Sequence, residues 1–467
     1  MIVMKFGGTS TQDAPAIANV VEIIKAHLHQ KPIVVVSAIA QATNMLEKIG
    51  KFAADKNDRE ARETLTQLFS RHFTIIDQLI RHITRNRNLR SVLDAMREEI
   101  ETIIKGVTIL RELTPRTLDT LYSYGELLSS RIVSVALQDH GIQSEWIDTK
   151  DFMFTDENFN RATPYLDIIE EKLKSNLLHL VNNGVVPVTQ GFIGITLSGR
   201  RTTMGRESSD YSAAIIGAAL DVDDIQIWTD VDGVLTADPA VVPDAKKVKT
   251  LSFKEAYELS YFGAKVLHPN TMLPAIEKSI PIHIYNSRRP QSTGTLVTAA
   301  LPSTSGVLKS IAYKRNITLI SISPQKRIGQ YIFWEHIQNV FTKHGITILA
   351  SVTAEYGYSI AAEEKQTTQA LLQDLNDVGI VSINEKKCII SVLGSSITQN
   401  PGVLNRIFGS ISDFNINMIS FGASQFSINI VLEDGDALEA VREIHSELFG
   451  EVFTDDIFEV LDQQKKK

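Results

Sequence analysis

The sequence predicts an α/β chain, with a largely parallel central sheet interrupted by a helical insertion and followed by two small βαββαβ modules. Three observations carry this. Val/Ile-rich runs alternate with helical patterns up to about residue 300, strand-like runs vanish between residues 55 and 112, and the remaining chain repeats itself at an offset of about 70 residues.

At 467 residues, 43% hydrophobic and 22% charged, the composition is that of a soluble protein with room for about three domains. A net charge of -8 disfavours nonspecific binding to nucleic acid or anionic membrane, so small anionic ligands would need local positive charge. The single Cys388 rules out an internal disulfide framework and fits a reducing cytosol. No secretory segment is visible, and the apolar runs Ile33 to Ala40 and Ala213 to Leu220 are too short to span a bilayer, so a cytoplasmic protein without a membrane partner is expected. The 11 histidines show no metal-ligand spacing, and no protein-held metal is expected.

The first strand, Ile2 to Met4, runs into Lys5-Phe6-Gly7-Gly8-Thr9-Ser10. An apolar strand ending in two glycines and a Thr/Ser helix cap builds a turn whose N–H groups can approach a phosphate closely. Lys5 at its mouth is a compact charge suited to a moving phosphoryl group. An ordinary strand-turn-helix fits this short string equally well. Further strands are Ile33 to Val36, Val185 to Val188, Ile225 to Trp228 and Ile282 to Tyr285. In the insertion, about 55–112, Leu65, Leu68, Phe69, Ile76, Leu79 and Ile83 recur on one helical face. Thr114 and Pro115 then start a helix that can run to Gly141. Gly125 inside it costs about 1 kcal/mol of helix stability, which either close approach of a ligand beside Glu126 or poor local packing would explain.

Met204-Gly205-Arg206-Glu207-Ser208-Ser209-Asp210 precedes a small-residue helix, Tyr211 to Leu220. Ser209 and Asp210 fit a plain N-cap. They also fit a site in which Arg206 offers a planar fork to a carboxylate and Asp210 orients a reacting group at an anion-favouring helix end. Ile225 to Trp228 runs into the acidic turn Thr229-Asp230-Val231-Asp232-Gly233-Val234, and strand C-termini of open α/β sheets line ligand clefts, which favours a nucleotide edge. Lys265, beside a proline-started helix, reads alone as a solvated helix-end lysine. Arg81, Arg85, Arg87 and Arg90 read as a solvated face rather than a nucleic-acid patch. Ala299 to Gly306 is linker-like, and beyond it Gly345-Ile346-Thr347-Ile348 and Asn415-Ile416-Asn417-Met418 each follow a helical segment. The expected domains are 1–298, a linker at 299–310, modules at 311–385 and 386–462, and a tail at 463–467.

Taken together, KFGGTS at Lys5 to Ser10, VVVSA at Val34 to Ala38, YGELLSS at Tyr124 to Ser130, GRESSD at Gly205 to Asp210, TDVDGV at Thr229 to Val234 and GAKVLHP at Gly263 to Pro269 resemble the aspartokinase family, in that order and over essentially the whole chain. The resemblance implies an amino-acid-kinase fold for the first domain and paired ACT regulatory domains for the repeat. It implies phosphorylation of the side-chain carboxylate of L-aspartate to 4-phospho-L-aspartate by ATP with Mg²⁺, the first step toward lysine, threonine and methionine. It further implies an allosteric amino acid and a homodimer or homotetramer built through the ACT domains.

Carried over by motif, Lys5 would contact the transferring phosphoryl and Gly7 and Gly8 would cradle it. Ser37, Thr43, Glu126, Arg206 and Ser209 would hold aspartate, with Glu126 matched to the ammonium and Arg206 to a carboxylate. Thr229, Asp230 and Lys265 would serve the nucleotide, and Asp210 the reacting centre. The candidate effector loop is Ser323 to Tyr331, with Ile328, Gly329, Gln330 and Tyr331 as contacts, leading into a helix beginning near Phe333. Several positions depart from the pattern. Glu207 and Ser208 replace two glycines, Leu235 a tyrosine and Ala240 an arginine. Leu349 stands where lysine-sensitive relatives tend to carry an aspartate, so threonine or no inhibitor is expected before lysine. A same-fold kinase for glutamate or acetylglutamate, and an amino-acid sensor on a weakened kinase scaffold, are the competing readings. No Rossmann-like segment follows the repeats, so no fused homoserine dehydrogenase is expected.

Overall fold

The structure is a computed structural model describing residues 1–205, 208–263, 272–299, 308–325, 329–355, 357–395, 397–399, 401–450 and 457–459. The chain forms two compact units, Met1–Gly233 with Asn270–Ala299, and Val234–Pro269 with Ala300–Lys467.

The strands in chain order up to residue 298 are β1 (Ile2–Phe6), β2 (Pro32–Val36), β3 (Ser144–Trp146), β4 (Phe154–Thr155), β5 (Val186–Gln190), β6 (Ile193–Thr196), β7 (Arg201–Thr203), β8 (Asp224–Thr229), β9 (Lys247–Val248), β10 (Thr250–Ser252), β11 (Ile282–Asn286) and β12 (Thr295–Thr298), with β9 and β10 in the second unit. In the first unit the sheet order runs β12-β11-β8-β1-β2-β5-β3. β1 pairs in parallel with β2 and β8, and only β12 at the edge is antiparallel to its neighbour. Every residue of β1, β2 and β5 is buried, which is why these strands read as continuous apolar runs rather than alternating ones.

The helices are α1 (Ala14–Ala26), α2 (Ala42–Ala54), α3 (Asp58–Leu79), α4 (Ile83–Leu110), α5 (Pro115–Asp139), α6 (Leu166–Asn182), α7 (Ser209–Leu220), α8 (Phe253–Tyr261) and α9 (Leu273–Glu277), with α8 in the second unit. The Thr114 hydroxyl accepts the Thr117 N–H at the start of α5, as its sequence signal predicts. Helix α1 begins later than expected: Asp13, not Thr9 or Ser10, caps it by accepting the Ala16 N–H at 2.9 Å. Gly7 to Ser10 instead form a turn closed by Ser10 N–H to Gly7 O at 3.0 Å.

Within the insertion Leu65, Leu68, Phe69, Ile76 and Leu79 are buried, but Ile83 is 76% exposed. Helix α3 stops at Leu79, Ile80 is extended, and Ile83 opens a new helix, so the 3.6-residue phase does not carry across. Gly125 answers to packing. A Cβ there would stand 2.9 Å from the Ala38 Cβ, so glycine lets α5 press against the loop after β2.

The second unit holds β13 (Leu308–Ser323), α10 (Gln330–His344), β14 (Ile348–Ala354), β15 (Gly357–Glu363), α11 (Gln369–Val378), β16 (Ile380–Gly394), α12 (Val403–Ser410), β17 (Met418–Phe421), β18 (Ser427–Glu433), α13 (Ala437–Phe449) and β19 (Phe458–Glu459). One antiparallel sheet runs β14-β15-β13-β16-β18-β17. Ile320, Ile322, Phe333, Ile337, Ile360, Leu371 and Leu375 form the core of its first half. Two long strands pass through both repeats: Leu308 to Lys314 pair with the end of β16, and Ile317 to Ser323 with its start. The division drawn at 385/386 from the repeat falls inside β16.

The linker expected over 299–310 is shorter at its end, because Leu308 to Ser310 already belong to β13; residues 300–307 lie outside the described residues. Val234–Pro269 was expected with the first domain and groups instead with the second unit. Ile311 N–H bonds to Thr236 O at 2.8 Å, the Thr236 hydroxyl meets His445 Nε2 at 2.9 Å, and Val248 pairs with Phe458. Helix α10 begins at Gln330, earlier than near Phe333, because Gly329 caps it with no Ser, Thr or Asp to mark the start. No helix among the described residues is long and apolar enough to cross a membrane.

Candidate active site

The parallel register brings four turns to one edge of the first unit's sheet. Phe6 lies level with Val36 and Trp228, and Val36 with Gln190. Beyond them Gly7 N–H donates to Trp228 O, Ser37 N–H to Phe6 O and Gly191 N–H to Val36 O, each at 3.0 Å. Gly7, Ser37 and Gly191 therefore follow the carboxyl ends of β1, β2 and β5, and Thr229 ends β8, where open α/β sheets place their ligands.

Lys5 is the one cation in β1, and its strand buries it. Its Nζ reaches Asp210 Oδ1 at 2.6 Å in the first turn of α7, with both side chains largely shielded from water. α7 can come that close because Gly191 carries no side chain: a Cβ there would stand 2.6 Å from the Ser209 Cβ and 2.8 Å from its Cα. Glu126, deep in α5, is buried. Its Oε1 accepts the Ala38 N–H at 3.1 Å, and Oε2 has no partner among the described residues. Burial pushes its carboxyl up to about 8, against the opposing pull of the Ala38 N–H and the Lys5 charge. Once ionised, this carboxyl would have one oxygen open to a cationic donor.

Ser37 O accepts the Ser129 hydroxyl at 2.8 Å. Thr43 lies beside the Gly125-Glu126 step, its Oγ1 3.5 Å from where a Gly125 Cβ would stand. The glycine turn serves partly to pack: Gly7 spends its N–H on Trp228, and a Cβ on Gly8 would lie 2.7 Å from Ala38 O. Only the Gly8 N–H of this pair lacks a partner among the described residues. Thr229 O accepts both the N–H and the hydroxyl of Ser287, at 2.7 and 3.0 Å, and Asp232 is held by Asn286 at 2.9 Å and by an ion pair with Arg289.

The structure thus gathers Lys5, Ser37, Thr43, Glu126, Ser209 and Asp210 around the ends of β1, β2 and β5, with Thr229 at the end of β8 and Asp230 just after it. Arg206, Glu207, Lys265 and Ile328 lie outside the described residues. Ser208, one of the two glycine replacements, has φ -82° and ψ 5°, a conformation open to any residue, so glycine is not required there. Gly329, Gln330 and Tyr331 belong to the second unit, where Gln330 and Tyr331 are already helical and Tyr331 is 80% exposed.

Three residues escape motif reading. Arg71, on α3, donates to Ala40 O at 2.5 Å and Gln12 O at 2.9 Å, tying the loops after β1 and β2. Gly191 admits α7. Asp119, on α5, bonds to Asn160 and Thr203. Only Asp119 had a local signal, standing two helical turns before Glu126 on the same face.

Residues 1–286 match the profile of the amino acid kinase family, and residues 390–448 that of an ACT domain. Fold and site thus define an amino acid kinase with a regulatory tail. The chain is 33% identical to lysine-sensitive aspartokinase 3 of Escherichia coli, over 96% of this chain and 99% of that one. It is also 33% identical to aspartokinase 1, chloroplastic, of Arabidopsis thaliana, over 96% and 80%. The solved structure of E. coli aspartokinase III in complex with aspartate and ADP superposes with a TM-score of 0.85 at 31% identity, covering 96% of this chain and all of that one. The same enzyme in complex with lysine and aspartate gives 0.76 at 32% identity, over 96% and 99%. Within the amino acid kinases, the chain belongs to the aspartokinase family.

Proposed function

We propose that the protein transfers the terminal phosphoryl group of ATP to the side-chain carboxylate of L-aspartate, giving 4-phospho-L-aspartate, the first step toward lysine, threonine and methionine. The observation that carries this reading is the Lys5–Asp210 ion pair beside the buried, half-satisfied Glu126. The nucleophile needs no general base, because an aspartate carboxylate with a pKa of about 3.9 is already ionised at neutral pH. The protein has to align it and neutralise charge. Lys5 meets the negative charge of the transferring group, Asp210 fixes where the Lys5 ammonium points, and Glu126 receives the substrate ammonium. Ser37, Thr43, Ser209 and Arg206 complete the aspartate pocket, with Arg206 on a carboxylate. The Gly8 amide cradles phosphate, and Thr229, Asp230 and Lys265 serve the nucleotide.

Mg²⁺ would enter as the companion of the triphosphate, which supplies most of its ligands. An amino acid acts at the ACT modules, where Ile328, Gly329, Gln330 and Tyr331 are the effector contacts. Copies associate through these modules as a homodimer or homotetramer, in line with the exposed outer half of the edge strand β14.

The test is ADP release and hydroxamate trapping of the acyl phosphate with aspartate, glutamate and N-acetylglutamate. Turnover with aspartate alone is expected. ATP binding without turnover on any of the three would overturn the reading.

A further inference from the structure

Asp119 is a buried carboxylate that makes no ion pair among the described residues, and burial raises its pKa from the ordinary carboxylate value. Its three partners all come from other segments. Oδ2 accepts the Asn160 N–H at 2.8 Å and the Thr203 N–H at 3.0 Å, and Oδ1 accepts the Thr203 hydroxyl at 2.6 Å. Thr203 ends β7, on the way to α7. Its neighbourhood is tied in turn: Ala162 N–H donates to Thr203 O at 2.9 Å and Met204 N–H to Phe192 O at 3.0 Å. Asn160 sits at φ +68°, and its carbonyl oxygen lies 3.7 Å from where a Cβ on Gly205, itself at φ +95°, would stand.

One carboxylate therefore joins helix α5 to the chain that leads into α7. Those two helices supply Glu126 and the Ser209-Asp210 turn, on either side of Lys5. A buried charge satisfied only by hydrogen bonds is an expensive tie, and an apolar contact would hold two segments together with less penalty. What the carboxylate adds is direction: its oxygens accept from two backbone amides and one hydroxyl at fixed angles, which sets the register of β7 against α5.

We infer that Asp119 is a positioning residue for aspartate binding, setting the distance between the substrate-holding groups of α5 and those at the start of α7. This rests on the aspartokinase reading of the site, so the wild-type chain is measured first with aspartate and ATP. Absence of turnover there would sink that reading; the variants test the inference once turnover is seen.

Two variants of the full chain are compared with wild type, Asp119→Asn and Thr203→Val. Asparagine keeps the shape but turns one acceptor into a donor facing the Thr203 or Asn160 groups, and valine removes only the hydroxyl bond. A hydrogen bond to a charged group corresponds to a change of about tenfold or more, so Asp119→Asn is expected to raise the aspartate KM about tenfold or more. The ATP KM should stay within about twofold. Thr203→Val should move the aspartate KM in the same direction by a smaller factor. A purely structural tie would lower the melting temperature and the active fraction while leaving the aspartate KM of the surviving enzyme unchanged. That result, or a parallel rise in both KM values, overturns the inference. Should Asp119→Asn fail to fold, Thr203→Val decides alone by the same readout.

Discussion

Lys5 and Asp210 stand 2.6 Å apart, one from the first strand of the sheet and the other from the first turn of α7, more than 200 residues later in the chain. The pair fixes an ammonium at the mouth of the glycine turn. Lys5→Ala should therefore lower kcat by about 10²- to 10³-fold, the usual effect of losing one preorganised charge-stabilising donor. The aspartate KM should change much less. Steady-state kinetics with a melting curve checks this, and an intact kcat in a folded variant would remove Lys5 from the chemistry.

Glu126 gives a pH signature. Its carboxyl is pushed up to about 8 by burial, so before aspartate binds it is largely protonated at neutral pH and must ionise to receive an ammonium. The wild-type aspartate KM should fall as pH rises toward 8, and binding at pH 7 should release a proton, measurable by calorimetry in buffers of different ionisation enthalpy. Glu126→Gln should raise the aspartate KM about tenfold or more and abolish that pH dependence.

The same shift bears on stability. A carboxyl whose folded pKa is raised binds its proton more tightly in the native chain than in the unfolded one, so its contribution declines as pH rises from about 4.5 to about 8 and is level above that. Replacement by glutamine removes this loss. The melting temperature of Glu126→Gln should gain on wild type across that window and hold a constant lead at higher pH.

Gly191 has no room for a methyl group, since its Cβ would fall 2.6 to 2.8 Å from three atoms of Ser209, one of them Cα. Gly191→Ala should push the first turn of α7 away from β5, with a penalty of about 1–3 kcal/mol and a loss of turnover larger than the loss of stability. Comparing kcat and melting temperature with those of Gly106→Ala, where a Cβ meets nothing within 4 Å, isolates the effect.

Leu349 is buried on β14 and offers no charge to an effector's ammonium. Lysine should inhibit aspartate-dependent turnover weakly or not at all, and threonine more strongly if either does. Titration of both amino acids at fixed sub-saturating aspartate decides this, and strong lysine inhibition would show that the counter-charge comes from elsewhere in the ACT sheet.

Much of the first unit was legible because its physics is local. Fully buried parallel strands announce themselves as apolar runs, and Thr114-Pro115 marks a helix start by its own chemistry. Lys5, Thr229 and Asp230, and Ser37 carried over from the family motif, sit at or just after strand ends, where register alone brings the segments together. The rest depends on pairings distant in sequence. Nothing near Asp119 announces Thr203, 84 residues away, and nothing near Arg71 announces Gln12, 59 residues back. The misjudged phase at Ile83 and the late start of α1 have simpler causes. Between Leu79 and Ile83 one helical pattern ends and another begins without a glycine or proline at the junction, whereas at α1 the Thr9-Ser10 pair is followed a few residues later by a second helix-start signal, Asp13 with Pro15, and that one caps the helix.

Strands β13 and β16 each run from one repeat into the other, across a register shift between Lys314 and Ile317, and give the repeated tail an integrity that its sequence symmetry conceals. A fragment starting at residue 386 would bring along one rail of a ladder whose other rail, Leu308 to Lys314, had been left behind. The second repeat cannot be cut at residue 386 without losing a strand of its sheet, and a change in either half reaches the other through backbone that the two share.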